Sequence, residues 1–455
     1  MEAKTCDLLI TDATVLWPDM TLREGMGIAV DRGVIVALDP SAQLEHAYQA
    51  RSRLDGRGKA ALPGLVDAHT HVCQQLLRGR ITDEPPMIWV RFLVPFESAL
   101  EPEDVYWSAM LSCTEMIKAG ITTFADSGGR HMDQVARAVE QMGLRACIAR
   151  STMDSAEFVP PNMKDSAADA IARTDELYQA WHGQANGRIH IWFALRQVMT
   201  STPALVEGVA DAARCHSTGI HIHLAEHLRE VEHCVVNYGK RPAEWLDSLG
   251  LLGPDVLAAH CVVLSDREVQ LVVERGVTPV HCPRSNLHSH GFPKVPLFLA
   301  LGSPIGLGTD GASSNALDLF EQARLLKSST QARYGLPIND ATVLPVQDGL
   351  RMLTSGGARA LSLQDQIGTL EVGKQADIIL INCTSPHLAP THNLLRTLVM
   401  CALPSDVSDV IVNGTVLMRD RRLTQADEAE IVAKAAEHMS AVARRVRRAG
   451  ALARR

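Results

Sequence analysis

The residue pattern richest in chemistry is His69-Thr70-His71, which closes the apolar run PGLVDAH (63–69). If that run is a strand, alternation puts both imidazoles on one face, where two neutral ring nitrogens can grip one divalent ion. A lone His-x-His is weak in a chain with 18 histidines, among them His288 and His290 in a Gly-containing loop segment. Here the pair has company. His221-Ile222-His223 ends another apolar run and is followed by Leu-Ala-Glu226; one of its histidines suffices for a metal, and the more C-terminal His223 is the better candidate. His260 closes LAAHC, and Asp310 sits in GLGTDG. Imidazole and carboxylate ligands suit zinc, with iron the other metal such a set serves, and none of the cysteines is required.

Residues this far apart in sequence meet only if the elements carrying them converge. From about residue 62 to about 360, short apolar runs ending in polar residues alternate with helical segments: PGLVDAH, GITTFAD (120–126), RIHIWFAL (188–195), GIHIHLAE (219–226), VLAAHC (256–261), VTPVHC (277–282) and PIGLGTD (304–310). That is the grammar of an α/β chain folded as a (β/α)8 barrel, whose strand C-termini share one face. Strand-like runs also precede it, LLITDATVL (8–16), GIAVD (27–31) and GVIVAL (33–38), and follow it, IGTLEVGKQADIILIN (367–382) and VSDVIVNGTVLM (407–418), the last with an Asn-Gly hairpin turn. The expected organisation is residues 1–61 and 363–455 forming a small composite β-sandwich around a barrel at 62–362. The Ala- and Arg-rich tail from Glu428 reads as a solvated terminal helix.

Composition narrows the function. A hydrophobic fraction of 46% and a charged fraction of 21% are ordinary for a globular protein, and 455 residues leave room for a barrel plus an accessory domain. The formal net charge of −8 argues against nucleic acid or anionic membrane as a partner. The start lacks a secretory signal, no run approaches the roughly 18 apolar residues of a membrane span, and the ten scattered cysteines form no CxxC pair. A cytoplasmic protein with reduced thiols is expected, assembled as a homo-oligomer. GLGTDG also matches G-x-G-x-x-G, but Asp310 would sit among amides meant for a pyrophosphate, and like charges would repel. Zinc deaminases of the H-x-E and P-C-x-x-C type are excluded, because that cysteine pair is absent.

From PGLVDAHTH through HLAE, AHC and GTDGASSN to GTLEVGKQADIIL, the chain resembles the amidohydrolase superfamily over nearly its whole length. Within it, PGLVDAHTHVCQQLLRG (63–79) is similar to the pattern of the methylthioadenosine/S-adenosylhomocysteine deaminases and the triazine hydrolases. The resemblance implies a (β/α)8 barrel with a composite β-sandwich, and one metal held by His69, His71, His223 and Asp310. It implies Glu226 as proton shuttle and His260 as the residue orienting the attacking water. Dinuclear relatives bridge two ions with a lysine or glutamate at the end of the fourth barrel strand, and IWFALRQVM (191–199) offers neither, so one ion per chain is expected. The implied reaction is deamination of an aromatic nitrogen heterocycle of purine, pterin or triazine type. A divalent ion makes hydroxide available near neutral pH, Asp310 takes its proton, and Glu226 protonates the ring nitrogen.

For the substrate, the resemblance matches Glu97 to a glutamate that meets ribose hydroxyls in the adenosine-type deaminases, and Arg150 to an arginine at their substrate mouth. Those enzymes carry a histidine in the fourth-strand segment, where this chain has Arg196 and Gln197. An arginine beside an amide suits a ring bearing carbonyl or other polar groups. Trp89, Phe92 and Phe96 offer faces for stacking. Two rival readings remain: a triazine hydrolase displacing chloride or an alkylamine, and a binding protein that kept the barrel and lost the chemistry. The second predicts missing ligands, and none is missing.

Overall fold

Short β-branched and apolar runs bounded by Gly, Pro and Asp build both sheets of the protein, seen here in a computed structural model that describes residues 4–84, 87–313 and 315–452. Its strands are β1 (Lys4–Leu16), β2 (Leu22–Asp31), β3 (Val34–Pro40), β4 (Tyr48–Asp55), β5 (Lys59–Pro63), β6 (Leu65–Thr70), β7 (Ile121–Asp126), β8 (Arg145–Ala149), β9 (Ile189–Gln197), β10 (Ile220–Leu224), β11 (Val256–His260), β12 (Thr278–His281), β13 (Gly306–Leu307), β14 (Ile378–Asn382), β15 (Val407–Val412), β16 (Thr415–Arg419) and β17 (Arg422–Leu423).

β6 to β13 pair in sequence order as one parallel eight-stranded sheet with helices between them, the expected α/β barrel. Its seam runs between β6 and β13. There Asp310 N donates to His69 O (2.9 Å), and the buried Asp67 carboxylate accepts from Thr309 N (2.9 Å) and Oγ1 (2.6 Å). Burial pushes the Asp67 carboxyl up to about 7, against the pull of those two donors. β8 is a strand that the apolar pattern alone does not reveal. Conversely, in PIGLGTD only Gly306 and Leu307 are extended, because the chain then turns sharply through Asp310 (φ 59°) and Gly311 (φ 80°). A Cβ on Gly308 would stand 2.6 Å from His69 O, so this stretch needs glycine to let the turn lie against the His69 backbone rather than to cradle a phosphate.

The remaining strands form one mixed sheet in the order β17-β16-β15-β14-β5-β1-β2-β3, with β4 beside β1, so N- and C-terminal segments share it. Alternation on β14 explains why it sits where it does. Ile378 and Leu380 join Leu8, Ile10 and Ile28 in one cluster, while Ile379 and Ile381 pack with the large cluster around the barrel. The Asn413-Gly414 turn joins antiparallel β15 and β16 as anticipated, with positive φ at both residues. Of the run 367–382, only Ile378–Asn382 is a strand, since Gly368 and Gly373 adopt φ of 92° and 95°. Arg145 at the start of β8 donates through Nε (3.0 Å) and Nη2 (3.2 Å) to the Asp377 carboxylate, joining barrel to sheet with both side chains buried.

The tail differs from the expected solvated helix. Glu428–Leu452 lies along the helix Pro102–Lys118, burying Ile431, Ala435 and Val442, with His438 Nδ1 2.7 Å from Asp104 Oδ1 and Arg445 also on Asp104. Two of its basic residues, His438 and Arg445, therefore serve an intramolecular contact. Among the described residues, no helix is long and apolar enough to cross a membrane.

Candidate metal centre and active site

Strand ends of the barrel deliver the chemistry. β6 places His69 and, one residue past its end, His71; β10 places His223; β11 ends on His260; the turn after β13 places Asp310. The four imidazoles are buried, and the Asp310 side chain keeps 18% of its surface open. His69 Nε2 lies 3.0 Å and His71 Nε2 3.5 Å from Asp310 Oδ1, and His71 Nε2 lies 3.2 Å from His223 Nε2. Two atoms bound about 2.0–2.1 Å from one tetrahedral ion stand roughly 3.3 Å apart. The observed separations are thus the edges that such a polyhedron would have, and the residues fit a divalent metal. One ligand atom each from His69, His223, His260 and Asp310 also lie within 4.8 Å of one another.

Protonation states agree with that fit. Burial holds the His69 imidazole down at about 4, against the pull of Asp310, and keeps His221 and His223 well below the usual histidine range, so the rings are neutral and able to ligate. Although burial opposes it, hydrogen bonding to His69 and His71 holds Asp310 well below the usual carboxylate range. Of the pair His221 and His223, the structure puts His221 behind the site. His221 Nε2 is 2.7 Å from His69 Nδ1, so with His69 Nε2 turned to a metal, Nδ1–H donates to His221. His260 Nδ1 is 3.0 Å from Asn286 Oδ1, leaving Nε2 buried without a hydrogen-bond partner among the described residues. The left-handed backbone at His260 and Cys261 (φ 72° and 51°) is the strained turn that sets this ring.

Glu226 is held on every side. The buried Glu230 carboxylate accepts from the N–H groups of Ala225 (2.9 Å), Glu226 (2.7 Å) and His227 (3.4 Å), fixing the turn after β10. Gln197 Nε2 donates to Glu226 Oε2 (2.9 Å), and His290 Nε2 lies 3.0 Å from Oε1. Burial works against charge on both partners, yet each favours the other's charged form: Glu226 is lowered by His260 and His290, and His290 is raised by Glu226. His290 and Glu230 are site residues that sequence reasoning missed. Nothing in the spacing of His288 and His290 singles out the one that reaches Glu226.

An inner cavity against the cluster is walled by Trp89, Leu93, Arg196, Gln197, Glu226 and Asp310, and shares Trp89, Leu93, Glu226 and Asp310 with an outer one of about 230 Å³. So Trp89, Arg196 and Gln197 are brought to the histidine–aspartate cluster, with Trp89 braced edge-on by Phe158 at 5.4 Å. Phe96 is buried in the core, and Phe92 lies against Arg80 instead. Two other expected contacts lie elsewhere. Arg150 pairs with Asp165 (2.5 Å) beside a separate surface cavity that Arg130 and Arg173 also line. Glu97 is buried with both oxygens taken: Arg196 Nη1 donates to Oε2 (2.9 Å) and Nη2 to Oε1 (3.1 Å), and Gln74 Nε2 donates to Oε1 (2.7 Å). Arg196 and Gln74 thus engage the carboxylate that was expected to meet a sugar.

That pair also carries a stability prediction. Arg196→Met should cost about 3–5 kcal/mol in urea unfolding, because it leaves a carboxylate buried without its cation. A loss under about 1 kcal/mol would mean that Gln74 alone satisfies Glu97.

Comparison with known proteins points the same way as the geometry. The amidohydrolase family profile matches residues 60–417. The chain is 39% identical over 435 residues to a 5-methylthioadenosine/S-adenosylhomocysteine deaminase of Pelotomaculum thermopropionicum, covering 94% of this chain and 97% of the relative. An adenosine deaminase from Xanthomonas campestris, solved with bound zinc, superposes with a TM-score of 0.91 at 34% identity, covering 97% of this chain and 99% of that one. Atrazine chlorohydrolase from Arthrobacter aurescens TC1, solved with zinc, superposes with a TM-score of 0.87 at 26% identity, covering 95% of this chain and 100% of that one.

Proposed function

Because this chain belongs to the amidohydrolase family, we propose that it is a one-zinc aminohydrolase that replaces the amino group of a purine-type cyclic amidine with oxygen and releases ammonia. The observation that carries this reading is the convergence of His69, His71, His223 and Asp310 at polyhedron-edge distances, with Glu226 walling the same cavity. His69, His71, His223 and Asp310 would hold the ion. When bound, it lowers the pKa of a water toward about 7 and so supplies hydroxide at neutral pH.

The chain's own residues do the rest. His260 Nε2, freed by the Asn286 contact on Nδ1, accepts from the attacking oxygen and sets its approach. Asp310 takes the proton released as that oxygen bonds to the amidine carbon. Glu226, a carboxylate at rest, takes the first proton that the attacking water gives up and delivers it to the neighbouring ring nitrogen, so negative charge does not build on the heterocycle. Transfer of the proton on Asp310 to the amine then lets ammonia leave. Trp89 and Leu93 cover the ring from water.

The test has two parts. Elemental analysis of active protein should return about one transition metal per chain, and two per chain would overturn the single-ion reading. Ammonia release should appear with at least one class in a panel of adenine nucleosides, guanine-like bases, pterins, cytosines and aminotriazines. The likeness to atrazine chlorohydrolase supports a second reading, displacement of chloride or an alkylamine from a triazine. Halide or alkylamine release without ammonia from any amino-heterocycle would favour it.

A further inference from the structure

Gln197 stands at the end of β9, and its amide is oriented by its neighbours. Nε2 lies 2.9 Å from Glu226 Oε2 and 3.3 Å from Glu230 Oε1. The shorter contact, to a Glu226 carboxyl held below its usual range by His260 and His290, puts the NH2 side of the amide toward Glu226. The carbonyl side is left over. Gln197 Oε1 is buried and makes no hydrogen bond to any described residue, on a residue that walls the inner cavity next to Glu226. A buried acceptor left unpaired is costly, and natural sites rarely keep one without a use.

We propose that Gln197 is a specificity residue: its side-chain oxygen accepts from an amino group or ring N–H on the atom flanking the ring nitrogen that Glu226 protonates. This rests on the aminohydrolase reading above and narrows it. The preferred ring carries a hydrogen-bond donor where adenine has only C2–H. Two further features agree. The Glu226 hydrogen bond holds the amide within one hydrogen bond of the reacting nitrogen, the reach needed to touch its neighbour. With Glu97 engaged by Arg196 and Gln74, recognition falls on the base rather than on a sugar diol.

The experiment compares rings that differ by that donor alone. With zinc-loaded protein, kcat/KM for ammonia release should be roughly tenfold or more higher for 2,6-diaminopurine than for adenine, because the rejected ring strands a buried acceptor. Binding is read independently of turnover with 2-aminopurine against purine, which lack the departing 6-amino group; calorimetry should give the same preference in Kd. Equal values within each pair, a preference for the donor-free ring, or no binding of 2-aminopurine would overturn the proposal. In Gln197→Met, both members should lose turnover as Glu226 loses a donor, while their ratio should collapse toward one; a ratio that survives would assign the preference elsewhere. Absence of ammonia from every ring of the wider panel would instead sink the aminohydrolase reading itself.

Discussion

Glu226→Gln is expected to retain its metal and to lose roughly 10²–10⁴-fold in kcat, the usual worth of a positioned general acid. The amide has nearly the same volume, so packing and KM should change little. Its chemistry is wrong in two ways. It cannot give up a proton to a ring nitrogen, and its NH2 must face a donor whichever way it turns, because Gln197 Nε2 and His290 Nε2 flank the two oxygens at 2.9 and 3.0 Å. Metal analysis and steady-state ammonia release on the same preparation separate the outcomes. Full occupancy with wild-type kcat would move the shuttle to another residue, and lost occupancy would recast Glu226 as a ligand.

Asp310→Asn should be as damaging to rate and mildly damaging to metal content. The substitution leaves a neutral oxygen for the polyhedron edge that Asp310 Oδ1 now makes with His69 and His71, at 3.0 and 3.5 Å. What disappears is the charge that accepts a proton. A base of this kind is worth about 10²–10⁴-fold, whereas loss of one charged ligand among several shows chiefly as weaker metal retention. Titrating excess zinc into the variant while following ammonia distinguishes the two roles. Recovery of near-normal turnover would show that Asp310 serves only to hold the ion, and the proton acceptor would then be sought at Glu226 or His260.

Strand-end polar residues were legible in the chain because a barrel forces them into sequence regularity. His69, His223 and His260 each close a short apolar run, and alternation with strand direction already aims them at one mouth. The hairpin at Asn413-Gly414 was legible for an equally local reason: a two-residue turn with positive φ at both positions has few sequence solutions. β8 was not. RACIA is short and opens on an arginine, and that arginine is tolerable in the interior only because Asp377, 232 positions away, takes its charge.

The same distinction divides the site. Which residue types gather follows from the sequence, since ligand chemistry belongs to the side chains and strand periodicity dictates their direction, and that their chemistry is metal-assisted hydrolysis is what the family resemblance of those motifs implied. Which atoms are spent on one another is decided by tertiary structure. His221 stands behind His69 rather than beside it, Glu97 is consumed by Arg196 across 99 positions, His290 rather than His288 reaches Glu226, and the basic tail spends Arg445 on Asp104. Each is a pairing of charges or hydrogen-bonding groups between distant segments. Its energy comes from sharing a buried, low-dielectric space, and no local spacing encodes which partner will be there.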